Sequence, residues 1–388
     1  MTRTNPSSAV GPLVGLKVLE VGGVGPAPFC AMLLADLGAE VIRIDRKESS
    51  ESGLPVERRF EPLFRGRRSL ALDLKKDSAK EVIRRLSRDC DVLIEGFRPG
   101  VMERLELGPD VLMKINPRLV YGRMTGWGQT GPLAQAPGHD INYIALTGAL
   151  HAIGDQNGPP QVPLNLVGDF GGGSMFLALG ILSALFESRF SGKGQVVDAG
   201  MIDGATSLMT MTYGLLASGY WKDERGVNRL DSGAPWYGVY ETSDGLHVAI
   251  GSNEARFYKA TVALLGLSVE ALPDQHDQAG WPAMKAAFTQ AFRSKTRNQW
   301  CAIFEGTDTC LSPVLSMSEA MRHPHQIARG NFVECDGVMQ PAPAPRFSRT
   351  PPAIQRPPAK VGEHNEEILV QWGFDQNEIT QLRNSGAI

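Results

Sequence analysis

The run LKVLEVGGVGPAPFCAMLLADLGAEVIRID, residues 16–45, decides the fold. Residues 16–21 are a short apolar run that ends in glycines, which reads as a buried strand entering a loop. Residues 29–37 carry apolar side chains at helical spacing, and Gly38 stops the helix. Residues 41–44 form a second apolar run. Strand, loop, helix and strand in so short a span make the βαβ unit of a parallel sheet.

The pattern continues outward. A helix is predicted over 79–86, a buried strand over 91–95, a helix near 102–105, and strands over 119–123 and 195–198. Alternation of this kind predicts an α/β fold with a Rossmann-like parallel sheet, helices on both faces. Glycines at 168–173 precede an apolar stretch, 174–186, that reads as a buried helix. Residues 201–219 are apolar and methionine-rich, which suits core or subunit contact better than a ligand site. Composition shifts near residue 225. Residues 237–241 and 246–250 flank Ser-Asp-Gly and read as a hairpin, followed by helices over 257–265 and 281–293. We therefore divide the chain into a large Rossmann-like domain over 1–224, a smaller α+β domain over 225–325, and a segment over 326–388 that returns to the large domain. That last segment is proline-rich over 341–358 and helical over 363–372 and 377–384.

The chain has 388 residues and a formal net charge of −3, so nothing in the balance asks for nucleic acid or an anionic membrane. The cysteines at 30, 90, 301, 310 and 335 are scattered, without a C-x-x-C pair, and predict neither a disulfide framework nor a zinc site. His323-Pro324-His325 reads as a loop and not as a metal site. No apolar signal run opens the chain, and no stretch reads as long enough to span a bilayer, which predicts a cytoplasmic protein.

The glycines after the first strand imitate a dinucleotide fingerprint, with Asp45 at the end of the next strand. The imitation fails in detail. Pro26 and Pro28 remove N–H donors that a pyrophosphate-binding helix start must offer. A nicotinamide dehydrogenase is therefore disfavoured. Cations recur at strand ends and loops: Arg46, Lys47, Arg65, Arg67, Arg68, Lys75, Arg98 and Arg104. Singly each suits solvated surface; as a set they suit a ligand with several phosphates, such as coenzyme A.

Three carboxylate and imidazole positions stand out. His139 follows a turn-rich stretch and precedes a helix predicted to start near Asp140, beside unpaired backbone N–H groups that could stabilise an oxyanion. An isolated histidine is more often structural. Asp169 lies among glycines, where a helix-capping role is a strong rival. Glu254 follows the hairpin and also fits a first-turn glutamate. No Gly-x-Ser-x-Gly elbow and no Walker loop is present.

Four stretches carry a resemblance: DVLIEGFRPGV (91–101), MTGWGQTGP (124–132), GHDINY (138–143) and NLVGDFGGGS (165–174). With them the chain, from residue 11 to about 347, resembles the α-methylacyl-CoA racemases of the family III CoA-transferase superfamily. The resemblance implies the family fold, an intertwined homodimer whose active site draws on both subunits, and an acyl-CoA thioester as substrate. It implies racemisation or epimerisation of 2-methylacyl-CoA thioesters by proton transfer through an enolate. His139 and Asp169 match the catalytic pair, and Glu254 matches the glutamate that partners the histidine. Arg46, Lys75, Arg98 and Arg104, with the backbone near Leu72, Gly96 and Phe97, match positions that bind coenzyme A. Gly138, Asp140 and Tyr143 match the thioester-binding turn. No metal or redox cofactor is implied, coenzyme A being part of the substrate. The rival within the superfamily is a CoA-transferase that uses Asp169 as nucleophile; from outside it, a catalytically idle acyl-CoA-binding protein is disfavoured because His139, Asp169 and Glu254 are all present. Residues 47–64 read as longer than relatives carry there. The acyl group itself is not legible.

Overall fold

The computed structural model describes residues 10–47 and 56–388. Residues 48–55 of the long segment at 47–64 therefore lie outside the described residues. The chain forms two compact units. One comprises Met1–Thr147, Leu164–Leu208 and His325–Ile388; the other comprises Gly148–Pro163 and Met209–Pro324. The compositional change at residue 225 thus falls inside the second unit.

The first unit is built on six parallel strands: β1 (Lys17–Val21), β2 (Glu40–Asp45), β3 (Arg67–Ala71), β4 (Val92–Glu95), β5 (Val120–Thr125) and β6 (Val196–Gly200). Their order is β3-β2-β1-β4-β5-β6, the doubly wound arrangement. Both faces are covered, so the strands bury alternate side chains in opposite directions. Leu19, Ile42, Leu70 and Leu93 point to one core, closed by the helix Asp77–Ser87 through Val82, Ile83 and Leu86 and by Ile368 and Leu369 near the C-terminus. Val18, Val41, Val92 and Val120 point to the other, closed by the helix Pro26–Asp36 and by Leu177 and Ile181 of the helix Met175–Ser191. The chain order reverses between β1 and β4, and the crevice beyond the carboxyl ends of those two strands is where such sheets bind ligands.

Strand β3 is the element that the basic pattern hides. Its arginines are buried, Arg67 at 1% exposure and Arg68 at 6%. They satisfy carboxylates of the scaffold. Arg67 Nε lies 3.0 Å from Oε2 of Glu20, a fully buried glutamate in β1. Arg68 pairs with Glu40 and, at 2.7 Å, with Glu367. Arg65 grips Asp36 at 2.6 Å. These three cations are not available to a phosphorylated ligand, which corrects their place in the predicted basic string.

The glycine-rich turn and the helix after it are continuous. Residues Leu166–Ser174 form a wide π-helical run that leads directly into Met175–Ser191. By length and apolar composition alone the joined helix, Leu166–Ser191, is long enough to cross a membrane. This corrects the expectation that no stretch reaches that length. Glycines are weak helix formers, so the run over 168–173 does not read as helix in the sequence.

The second unit carries an antiparallel sheet of β7 (Tyr237–Glu241), β8 (His247–Gly251) and β9 (Leu311–Pro313). Helices Ala255–Leu264, Trp281–Phe292 and Arg297–Phe304 accompany it. Its core is aromatic: Trp236, Tyr240, Tyr258, Trp281, Phe288, Phe292 and Trp300 are buried together. A last hairpin, β10 (Phe332–Cys335) with β11 (Val338–Pro341), belongs to the first unit.

Candidate active site

The crevice beyond β1 and β4 is shaped by glycines. Gly22, Gly23 and Gly25 follow β1 with positive φ, a conformation that other residues rarely adopt. A side chain on Gly22 would meet the Phe97 ring at 2.7 Å, and one on Gly96 would meet Ala27 at 3.3 Å. A Cβ on Gly96 would also lie 3.5 Å from the Gly23 Cα, so the two loops approach closely at these glycines. A Cβ on Gly25 would lie 3.3 Å from Oδ2 of Asp169. The loop that imitates a dinucleotide fingerprint thus borders a carboxylate. Asp45, the residue a ribose would need, is buried against Arg43 at 2.8 Å and Ser69 at 2.6 Å.

Asp169 lies within the π-helical run and does not cap it. Its carboxylate accepts a hydrogen bond from Asn165 Nδ2 at 3.1 Å, while its backbone N–H donates to Asp140 Oδ2 at 2.7 Å. Gly168 makes the second bond reachable, since a Cβ there would sit 2.5 Å from that same oxygen. Gly172 and Gly204 meet so closely that a Cβ on Gly204 would overlap the Gly172 carbonyl, which locks the wide turn onto the helix Met201–Leu208. Burial raises the Asp169 pKa, and the charge of Asp140 raises it further; the bond from Asn165 and the charge of His139 oppose this. A carboxyl that holds its proton more readily than usual is suited to acid and base work near neutrality.

His139 is the extended residue at the start of the helix Asp140–Ala145, where the sequence placed it, and is exposed. Its backbone N–H donates to Asn142 Oδ1 at 3.0 Å. The turn beneath it is clamped by Tyr143, whose hydroxyl donates to the Gly138 carbonyl. The Tyr143 ring stands edge-on to Trp127 at 4.7 Å and fills the space a side chain on Gly126 would need. Asp140 and Tyr143 are both buried, at 6% exposure each, and hold the turn from below. Gly138, His139, Asp140, Tyr143 and Asp169 are therefore one structural cluster.

The cations of the rim lie where strand ends deliver them. Arg46 follows β2 directly, Lys75 follows β3, and Arg98 and Arg104 follow β4; all four are exposed. The backbone of Leu72 continues β3 through its N–H to the Asp45 carbonyl at 2.9 Å, with its side chain in the core. Phe97 donates its N–H to Glu95 Oε2 at 2.8 Å. Under this rim, Arg123 bridges Glu95 at 2.9 Å and Glu103 at 2.8 Å. Burial pushes the Glu95 carboxyl up to about 6, against the bonds from Phe97 and Arg123. Sequence reasoning missed this network and Asn165; the spacing of Asn165 four residues before Asp169 was the available signal.

Glu254 belongs to the second unit, exposed at the start of the helix Ala255–Leu264. It lines a cavity of about 580 Å³ with Leu215, Tyr220, Trp221 and Leu230. Arg229 fixes the neighbouring Asn253 through two bonds of 3.0 Å.

The fold defines a doubly wound α/β protein in which Asp169 borders the glycine loop at the switch point of the sheet. The profile of CoA-transferase family III matches residues 13–365, and the chain belongs to that family. It is 46% identical to the α-methylacyl-CoA racemase of Mus musculus over 96% of both chains. It is likewise 46% identical to the Homo sapiens α-methylacyl-CoA racemase, over 97% of both chains. Among solved structures, a CAIB/BAIF family protein from Brucella suis superposes with a TM-score of 0.82 at 26% identity, covering 94% of this chain and all of that one.

Proposed function

We propose that this protein is an isomerase that inverts the α-carbon of 2-methylacyl-CoA thioesters. The observation that carries the reading is the Asp169 carboxyl: half-buried, raised in pKa, not spent on a helix cap, and near enough to His139 for the two charges to interact. Whole-chain identity to two α-methylacyl-CoA racemases supports the substrate class.

In the proposed reaction one of the pair removes the α-proton from one face of the thioester and the other delivers a proton to the opposite face. The roles exchange for the opposite enantiomer. Positioned groups of this kind each contribute roughly 10²–10⁴-fold in rate. The intermediate is an enolate, whose oxygen needs donors aimed at it; each is worth about 3–4 kcal/mol. The start of the helix at Asp140 has backbone N–H groups without intrahelical partners and is the candidate source. Arg46, Lys75, Arg98 and Arg104 are assigned to the phosphates of coenzyme A, and Glu254 to orienting the imidazole. The chemistry asks for no metal or redox cofactor. The cytoplasmic setting remains part of the proposal.

A homodimer is also proposed. The helix Met175–Ser191 exposes Leu179, Phe186 and Phe190 at 62%, 63% and 77%. Monomeric surfaces rarely expose so much apolar side chain together.

The test is deuterium incorporation. A single enantiomer of a 2-methylacyl-CoA is incubated in D₂O. Expected are α-deuterium uptake and inversion, both severely reduced in His139→Ala and in Asp169→Ala. Coenzyme A transfer to free acids without α-exchange overturns the reading in favour of Asp169 as a nucleophile.

A further inference from the structure

A second cluster of cations lies away from the crevice, along the free edge of β3. The C-terminal segment closes that edge through Gly66 N–H to the Arg356 carbonyl at 2.9 Å and His364 N–H to the Ser69 carbonyl at 3.1 Å. Between this segment and residues 57–59 is a cavity of about 500 Å³, a size suited to a small ligand.

Its wall holds an excess of hydrogen-bond donors. The Ser69 N–H points at Nδ1 of His364, 3.2 Å away. Arg356 Nη1 stands 3.2 Å from Nε2 of the same ring. A neutral imidazole has one lone-pair nitrogen, and a protonated one has none. In every protonation state at least one ring N–H therefore faces another donor. Among the described residues, no carboxylate forms an ion pair with Arg356. Burial, then the nearby Arg68 charge, depress its pKa, opposed by Glu367, Glu363 and Glu40. Arg58, Arg59 and Lys360 line the same cavity. Of the acids there, Glu57 is paired with Arg59 at 2.8 Å, and Glu363 accepts from the Lys360 N–H at 2.7 Å; Asp336 is the third.

We infer that this cavity is a binding site for a phosphate dianion, with Arg356, His364 and Lys360 as its donors. A phosphate oxygen that bridges Arg356 Nη1 and His364 Nε2 from the cavity side supplies an acceptor to both, and Nε2 can then carry its proton toward the anion. The phosphate could belong to a separate small molecule or be the 3′-phosphate of coenzyme A, and the two sources are separable.

His364 is the reporter. Burial and then Arg356 lower its pKa, Glu363 and Glu367 raise it, and Arg68 lowers it. Inorganic phosphate is titrated into the full-length protein, followed by calorimetry and by the NMR resonance of the His364 ring, with chloride as control. Saturable binding with a Kd below about 1 mM is expected, together with an upward move of the His364 pKa. Arg356→Gln should weaken binding at least about tenfold, since a charge-assisted pair is lost. Lys360→Gln, at an exposed position, should weaken it in the same direction and serves if the first variant does not fold. No saturable binding, or binding unchanged in both variants, overturns the inference. Competition by coenzyme A but not by 3′-dephospho-coenzyme A identifies the 3′-phosphate as the occupant. Phosphate binding undisturbed by either identifies a separate ligand. Both outcomes uphold the site.

Discussion

Replacing Arg67 by methionine separates a scaffold cation from a ligand cation. Sequence places Arg67 in a basic string fit for phosphate; the structure buries it in β3 against Glu20. The variant loses the 3.0 Å pair to Glu20 and the bond from Arg67 to the Pro28 carbonyl, which ties β3 to the start of the helix Pro26–Asp36. Removing one partner of a buried pair costs ~3–5 kcal/mol because the other charge is left uncompensated. Here Arg43 still contacts Glu20, so the lower end, about 3 kcal/mol, is expected. For a unit of this size that corresponds to a fall in Tm of roughly 6–12 °C. The KM for acyl-CoA, measured well below the transition, should not change, because a side chain 1% exposed cannot reach a ligand. Adding Glu20→Gln should recover part of the loss, as the orphaned charge is then removed. A Tm within about 2 °C of the parent, combined with a large rise in KM, would refute this account and return Arg67 to the binding site.

Three further outcomes are expected. Asn165→Ala removes a bond that holds the Asp169 pKa down, so the limb of the pH–rate profile due to Asp169 should move to higher pH; an unmoved limb in a folded variant counts against the pairing. Glu95 has its folded pKa raised from 4.5 to about 6, so the unfolded chain releases this proton first and stability falls as pH rises through that window. The loss is worth about 2 kcal/mol at 1.36 kcal/mol per pH unit, and Glu95→Gln should abolish that component in urea titrations compared between pH 4.5 and 7. Finally, Leu179→Glu with Phe186→Glu places charges on the exposed apolar helix face; sedimentation should then report a monomer, and an unaltered dimer would move the interface elsewhere.

The unequal legibility of this chain has a physical cause. Strands β1, β2, β4 and β5 were readable because burial on two faces demands continuous apolar runs, and residues 18–19 or 92–94 have no other use. Strand β3 obeys the same burial with the opposite composition. An arginine meets the demand of a core if a carboxylate is already there, and Glu20 sits inside β1, where its charge has no local meaning in sequence. The information is therefore held in a pair forty-seven positions apart, Glu20 with Arg67, and neither residue discloses it alone. Asp169 shows the same limit at the site. Its neighbours Gly168 and Gly171–Gly173 are consistent with a cap, a hinge or a ligand loop. What selects among these is Asp140, which takes the Asp169 N–H from twenty-nine residues upstream, while the carboxylate bonds only the Asn165 side chain and no backbone N–H of its helix. A capping aspartate uses its oxygens on its own helix; here the Asp169 N–H is satisfied from another element, and the carboxylate does no capping, as the proposed role in proton transfer requires.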